Sequence, residues 1–232
     1  MLPLTKEMVV ATDYWWNKKK RSQIAEELNG LVKHGCVSLG QKIDPQIAEQ
    51  LRDSLDKHLS NSDVNVWRDQ TASDERIFGF EDLETCVGEV CSIGELLEIG
   101  SKYVGRRLKS WFMMANRVRH MAGNLGSGGG WHRDSAFTHQ FKSICYLSDV
   151  TLDNGPFEYV SYSHLTKDKL SIRGTIRLDQ SRISDEDFQR SRLKSSTFTG
   201  PAGTLLLADT RGIHRGCPIK TGARYAITTY FF

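Results

Sequence analysis

The sequence predicts a mainly β, α+β domain: an antiparallel β core buttressed by N-terminal helices. Three observations carry that expectation. Helix-period apolar stripes are confined to about residues 1–107. From about 108 to 232 the chain turns to short runs rich in β-branched, leucine and aromatic residues, separated by glycine, proline and asparagine. The length of 232 residues, 39% hydrophobic and 25% charged, suits one globular domain with a substantial core.

Taken in order, Ser22 can cap a helix with Ile24, Leu28 and Leu31 on one face, ending near Gly35. Cys36–Leu39 reads as a short strand. Asp44-Pro45 is a helix start, with the aspartate as cap and the proline in the first turn. Ile47, Leu51 and Leu55 follow at fourfold spacing and make one apolar stripe. A third helix covers Ser92 to Val104. Ser110 to His120 is the first strand of the core, and Gly123 to Gly130 a glycine-rich loop. Further strands are expected at 143–147, 157–160, 203–208 and 224–232. Residues 165–199 are polar, charged and without period. So long an insertion in a compact domain reads as a functional, lid-like segment or a mobile one.

The net charge of +3 is too small to imply a nucleic-acid partner, and Lys18-Lys19-Lys20-Arg21 reads as a solvated helix entry. No apolar run approaches the roughly 20 residues of a membrane span. The N-terminus lacks the pattern of a secretory signal. Five cysteines, with no Cys-x-x-Cys pair, argue against a disulfide framework or a finger-type zinc site and suit a reducing cytoplasm. Cys36 and Cys145 lie in strand-like runs and are expected as buried thiols. Trp15-Trp16 is expected to dock the N-terminal arm on the core, or else to make a homodimer contact.

The chemistry-bearing stretch is Trp131-His132-Arg133-Asp134. In extended backbone, residues i and i+2 point to the same side, so His132 and Asp134 project together and Arg133 faces away. Such a pair also occurs by chance in surface loops with a local salt bridge. His214 strengthens it, because two histidines and one carboxylate form the facial set associated with non-haem Fe(II), with positions left open. Arg224 follows ten residues later. A hairpin centred near Ile219 would set His214 and Arg224 opposite each other on one face. A guanidinium grips a carboxylate with two parallel hydrogen bonds, so a 2-oxo acid could chelate the metal and meet Arg224 at its far end.

These residues resemble the phytanoyl-CoA dioxygenase family of Fe(II)/2-oxoglutarate oxygenases, over roughly Leu31 to Phe232. Gly130-Trp131-His132-Arg133-Asp134-Ser135 carries the likeness first. Leu147 to Val150, Asp153-Asn154-Gly155-Pro156 and Ser161-Tyr162-Ser163-His164 carry it next, and Ala202 to Gly216 with Arg224 complete it. The resemblance implies a double-stranded β-helix, a cupin-like jelly roll with the metal at its open end. It implies His132, Asp134 and His214 as iron ligands, Arg224 as the 2-oxoglutarate clamp, and O2 as co-reactant. Tyr162 stands where the family usually has glycine. Ala226 and Gly216 supply no hydroxyl beside the clamp, so Arg119 or Tyr146 is a candidate substitute donor.

The activity expected is hydroxylation of a small, polar or anionic metabolite, with 2-oxoglutarate converted to succinate and CO2, by a monomer or homodimer. Because Asp134 occupies the carboxylate position, a halogenase is disfavoured. The competing readings are an oxygen-independent cupin-type metalloenzyme and a non-catalytic sensor of iron or a small acid. The first has no need of a carboxylate clamp at Arg224, and the second would bind its ligand without forming succinate. His139 and His164 are expected in structural hydrogen bonds, and His34, His58 and His120 have no ligand pattern. Trp131 suits either a shield for the metal or core packing, and Glu158 is expected to face solvent or an arginine.

Overall fold

The computed structural model describes residues 23–232 apart from 136, 137, 139, 173 and 178. The expectations placed on Trp15-Trp16, Lys18 to Arg21, Ser22 and His139 lie outside the described residues.

Helix α1 (Gln23–His34) buries Leu28 and Leu31 and ends at Gly35, whose φ of 79° stops the helix. Strand β1 (Cys36–Gln41) follows. Helix α2 (Pro45–Leu59) starts as the sequence predicts: the Asp44 carboxylate accepts from Gln46 N at 2.8 Å, and Pro45 sits in the first turn. Its buried face is Ala48, Leu51, Leu55 and Leu59, whereas Ile47 is 38% exposed. The expected stripe is therefore off by one. At 3.6 residues per turn Ile47 lies roughly 80° round from Leu55, while the other three lie within roughly 40°.

Strands β2 (Trp67–Arg68) and β3 (Asp74–Phe78) interrupt the region expected to be helical. β2 has two residues and β3 opens on three charged ones, so neither carries a clear period-two apolar signal. After α3 (Phe80–Leu83), α4 (Val87–Val90) and α5 (Ile93–Val104) come β4 (Trp111–Arg119), β5 (Phe141–Tyr146) and β6 (Phe157–Tyr159). Within 165–199, α6 (Thr166–Ser171), α7 (Asp185–Ser191) and β7 (Ser196–Phe198) form among the described residues. Then β8 (Thr204–Asp209), β9 (His214–Gly216) and β10 (Ala223–Phe231) close the chain.

The strands form an antiparallel seven-stranded sheet, ordered β1-β8-β5-β10-β4-β3-β2, and a three-stranded sheet ordered β7-β6-β9. Period-two alternation splits the large sheet into two faces. Leu205, Leu207, Cys145 and Ile227 point to the helices and share one cluster with Leu51, Leu55, Leu96 and Ile99. Leu206, Ala208, Tyr146 and Ala226 point the other way and pack on Phe157 and Tyr159 of the small sheet. Two antiparallel sheets closed on each other, with helices on the outer face of the larger, make the jelly roll expected from the sequence. Cys36 and Cys145 are buried free thiols, as expected.

The expected hairpin between His214 and Arg224 does not form. β9 pairs with β6 in the small sheet, and β10 pairs with β4 and β5 in the large one. The turn-rich link 217–222 crosses between sheets instead. Cys217 N donates to Pro156 O at 2.9 Å, Ile219 N to Asn124 Oδ1 at 2.9 Å and Lys220 N to Asp153 O at 2.7 Å. These partners from other segments outcompete a local ladder. Among the described residues, no helix is long and apolar enough to cross a membrane.

Candidate metal centre

His132 lies at the edge of the small sheet and pairs directly with His214. Each backbone N–H donates to the other's carbonyl at 2.9 Å. In an antiparallel pair, directly opposed residues share a face. The two imidazole centroids lie 4.2 Å apart. Asp134, two residues on, reaches the same side, and its N–H donates to Thr210 O at 3.0 Å. One donor atom from each of the three lies within 4.8 Å of the others. Gly128, at φ 85°, lies flat against the His132 ring; a Cβ there would meet Cε1 at 2.3 Å.

The hydrogen bonds set the tautomers. His132 Nδ1 meets Gly130 O at 2.8 Å, and His214 Nδ1 meets Gly212 O at 2.9 Å. A carbonyl only accepts, so each Nδ1 carries the proton and each Nε2 offers a lone pair. Both Nε2 atoms lie 3.8 Å from an Asp134 oxygen. Burial, and then the neighbouring His214, lower the His132 pKa to about 3. Burial also lowers that of His214. Burial thus favours the neutral form of both rings, and their closeness to Asp134 is a ligand arrangement.

Asp134 is held ionised. Burial opposes its charge, but the neighbouring His214 ring, the Lys142 ammonium and hydrogen bonds from Lys142 and Thr210 outweigh that and keep its pKa far below the usual carboxylate range. Lys142 Nζ lies 2.6 Å from Asp134 Oδ2 and 4.0 Å above the Tyr230 ring. The Asp134 side chain, 26% exposed, is the open edge of the triad. Two neutral imidazoles and one carboxylate, converging from three directions on one face, fit a divalent ion with positions to spare.

Arg224 lines the same cavity from the large sheet, opposite Val118 in the ladder. It is 5% exposed, and Nη1 donates to Gly155 O at 2.6 Å. Its Nε is buried with no hydrogen-bond partner. Among the described residues it has no ion-pair partner, and burial lowers its pKa. Removing one ion from water costs several kcal/mol unless a counter-charge offsets it. Such a site is complementary to an anion. Gly216 leaves the guanidinium room, since a Cβ there would lie 3.0 Å from Nη1.

The two substitute donors expected from the sequence are not available. Arg119 Nη2 pairs with Glu75 Oε2 at 3.1 Å, and its side chain is 46% exposed. It does not line the cavity, because its odd position on β4 turns it to the opposite face. Tyr146 spends its hydroxyl elsewhere: it donates to Phe198 O at 2.8 Å and accepts from Phe157 N at 3.0 Å. Sequence reasoning missed Lys142 and Arg76, which line the cavity together with Arg182, one of the basic residues of the 165–199 insertion. For Lys142 a signal existed: a lone cation at an inward position of an apolar strand.

The remaining candidates are structural. Trp131 is buried, stacked on Phe188 at 4.0 Å and under the Arg215 guanidinium at 4.2 Å. Glu158 pairs with that same Arg215 at 2.7 Å. His164 Nε2 meets Val32 O at 3.2 Å, His120 Nδ1 meets Ile219 O at 2.8 Å, and His58 lies 3.3 Å from Glu84. His34 packs on Tyr162, which takes a φ of 69°, the left-handed conformation that glycine favours.

Residues 31–226 match the family model for phytanoyl-CoA dioxygenase (PhyH). No curated protein sequence matches the chain. Among solved structures, it resembles the non-haem alpha-ketoglutarate-dependent epimerase SnoN from nogalamycin biosynthesis, with TM-score 0.69 and 12% identity over 90% of this chain and 82% of that one. The carbocyclase SnoK from the same biosynthesis gives 0.68 and 14% over 92% and 84%. A Pseudomonas putida prolyl-4-hydroxylase gives 0.61 and 11% over 90% and 98%. At these identities the structural likeness establishes the fold. With the family model spanning most of the chain, this protein belongs to the phytanoyl-CoA dioxygenase family, within the iron- and 2-oxoglutarate-dependent oxygenases.

Proposed function

We propose that this chain is an Fe(II)- and 2-oxoglutarate-dependent dioxygenase that hydroxylates a small, polar or anionic metabolite. His132, Asp134 and His214 hold the iron, and Arg224 holds the distal carboxylate of 2-oxoglutarate. The observation that carries this reading is the buried Arg224, without a carboxylate partner among the described residues, in the cavity that also contains the triad. An oxygen-independent cupin or a metal sensor has no use for such a group.

When bound, iron with 2-oxoglutarate and O2 supplies the oxidant: one oxygen atom goes into succinate as CO2 leaves, and the other goes to the substrate. The protein's part is to bind and orient. The Nδ1 contacts to Gly130 and Gly212 aim the imidazoles, and Lys142 fixes the Asp134 carboxylate. The inner face of the large sheet supplies the wall on which 2-oxoglutarate lies. Free cysteines suit a reducing, cytoplasmic setting.

The test is an anaerobic titration of Fe(II)-loaded protein with 2-oxoglutarate, reading the weak visible charge-transfer band. The band is expected in the wild type and lost in Arg224→Ala. Iron bound without a band would overturn the assignment in favour of the cupin or the sensor. An epimerase and a carbocyclase share this fold, so a second reading keeps the oxidant and changes the outcome. Mass analysis of the product separates them: hydroxylation adds one oxygen, epimerisation leaves the mass unchanged, and ring closure removes two hydrogens.

A further inference from the structure

The cavity holding the triad measures about 160 Å³. Ordinary ligand sites hold roughly 300–1,000 Å³. A metal ion and one 2-oxoglutarate leave little of it for a second molecule. A second cavity of about 350 Å³ adjoins it and shares Arg76, Gly128 and Arg182 as a common wall. Its outer walls carry Trp67 and Leu125, two apolar side chains exposed by 45% and 57%. The indole and the leucine give this cleft two apolar side chains against which the body of a ligand can rest.

The charges in this second cavity are unevenly committed. Asp69 is consumed locally: it accepts from Ser73 N at 2.7 Å, Thr71 Oγ1 at 3.0 Å and Ser73 Oγ at 2.9 Å. Asp74 is occupied by Arg76 at 2.5 Å and by Asn116 at 3.2 Å. Arg76 in turn lies 4.7 Å over the Trp67 ring and stiffens that wall. No carboxylate is left over for a cationic ligand. Arg182 differs. Its Nη1 donates to the carbonyls of Gly128 and Gly129, and among the described residues it has no ion-pair partner. It stands where the two cavities meet.

Net charge points the same way. The wall of the triad cavity carries Arg76, Lys142, Arg182 and Arg224 against Asp134 alone. Asp74 neutralises Arg76, and Asp134 neutralises Lys142. Arg224 is buried and matched in the proposed function by 2-oxoglutarate, whose second charge meets the metal. Arg182 remains as the uncompensated side-chain cation, beside a metal whose double charge one carboxylate of 2-oxoglutarate does not cancel.

From this we propose that the second cavity is the substrate groove and that its ligand is a small anion with an apolar body. The body lies between Trp67 and Leu125. The carboxylate or phosphate lies on Arg182, at the junction with the metal cavity. Arg182 is thereby the specificity-determining residue, delivered by the segment 165–199. The proposal rests on reading the neighbouring cavity as the oxygenase centre.

The test is calorimetric titration of the anaerobic Fe(II)/2-oxoglutarate-loaded protein with three probes: benzoate, phenyl phosphate and the neutral benzyl alcohol. At least one anion is expected to bind about tenfold or more tighter than benzyl alcohol, as one charge-assisted contact supplies. The ratio of benzoate to phenyl phosphate distinguishes a carboxylate from a phosphate ligand. Arg182→Gln is expected to erase the preference for anions, and Trp67→Ala to weaken all three probes. Three results would overturn the proposal: equal affinity for anions and alcohol, an anion affinity unchanged in Arg182→Gln, or no binding of any probe at millimolar concentration. Repeating the titration on metal-free protein separates this proposal from the last. Anion binding without a charge-transfer band sinks the oxygenase reading alone, and a band without anion binding sinks the groove alone.

Discussion

The two faces of the seven-stranded sheet are made by the same strands and do opposite work. On β10, Tyr225, Ile227 and Phe231 turn outward to the helices, whereas Arg224, Ala226, Thr228 and Tyr230 turn inward to the cavity. On β5, Phe141 and Cys145 face the helices, and Lys142 and Ile144 the cavity. The outer face is mostly apolar where α2 and α5 cover it, so its main contribution is hydrophobic burial and close packing. The inner face keeps charged groups out of bulk water, which costs stability and makes each of them a stronger binder. A period of two lets one stretch of chain carry both tasks, and a one-residue slip would exchange them.

If that division holds, inner-face changes should erase binding while leaving the fold, and outer-face changes should do the reverse. The largest effect is expected across the cavity from the inner face, at the small-sheet edge, for His132→Ala: succinate formation falls to background and Fe(II) no longer binds, with an unchanged urea midpoint. Metal-dependent turnover surviving in that variant would break the comparison at its centre. Arg224→Ala removes the buried counter-charge for 2-oxoglutarate. The loss of one partner of a buried charge pair is about 2–5 kcal/mol, so the dissociation constant of 2-oxoglutarate should rise roughly 30-fold to over 1,000-fold.

On the outer face, Leu207→Ala deletes a fully buried side chain of the large cluster. Unfolding free energy should drop by about 2–5 kcal/mol in urea titration, with the 2-oxoglutarate affinity of the folded protein unchanged. Lys142→Met sharpens the inner face further. Without the 2.6 Å contact the Asp134 carboxylate turns freely, and Fe(II) affinity should weaken about 10–100-fold. An affinity equal to wild type would mean the contact orients nothing.

The smallest effect concerns Glu75, which sits on the outer face with Arg117 at 2.6 Å. Burial opposes its charge, but the hydrogen bond and charge of Arg117, with Arg119 and Arg68, hold its pKa below the ordinary value. A carboxylate depressed in the folded state stabilises the fold above its unfolded pKa of about 4.3. That stability is lost as pH falls through the folded value. Glu75→Gln should therefore cost about 1–3 kcal/mol at neutral pH and flatten the acid limb of the stability profile below about pH 4.3. An acid limb identical to wild type would remove Glu75 from the account.

Much of this was legible in the residues because it is local. Asp44-Pro45 caps a helix wherever it occurs, and Leu51 and Leu55 share a face by helix geometry alone. The chain texture after Leu108 announced strands, and His132-Arg133-Asp134 set two donors on one side by extended geometry. What resisted was pairing at a distance. The sequence contains no signal that β2 and β3, polar and short, join the large sheet. It suggested that His214 opposes Arg224, whereas His214 opposes His132 and Arg224 opposes Val118. Arg119 and Tyr146 looked equally able to meet 2-oxoglutarate, until the alternation along β4 and the Phe198 and Phe157 backbones claimed them.

By itself, then, the sequence determined which residues have the chemistry and which local elements carry them, because side-chain type and short-range geometry travel with the chain. Only the tertiary structure decided which faces meet. Sheet partners are chosen by a competition among distant segments for the same hydrogen bonds and the same buried surface. That competition brought Arg224 to the triad, Lys142 to Asp134 and Arg182 to the mouth of the groove.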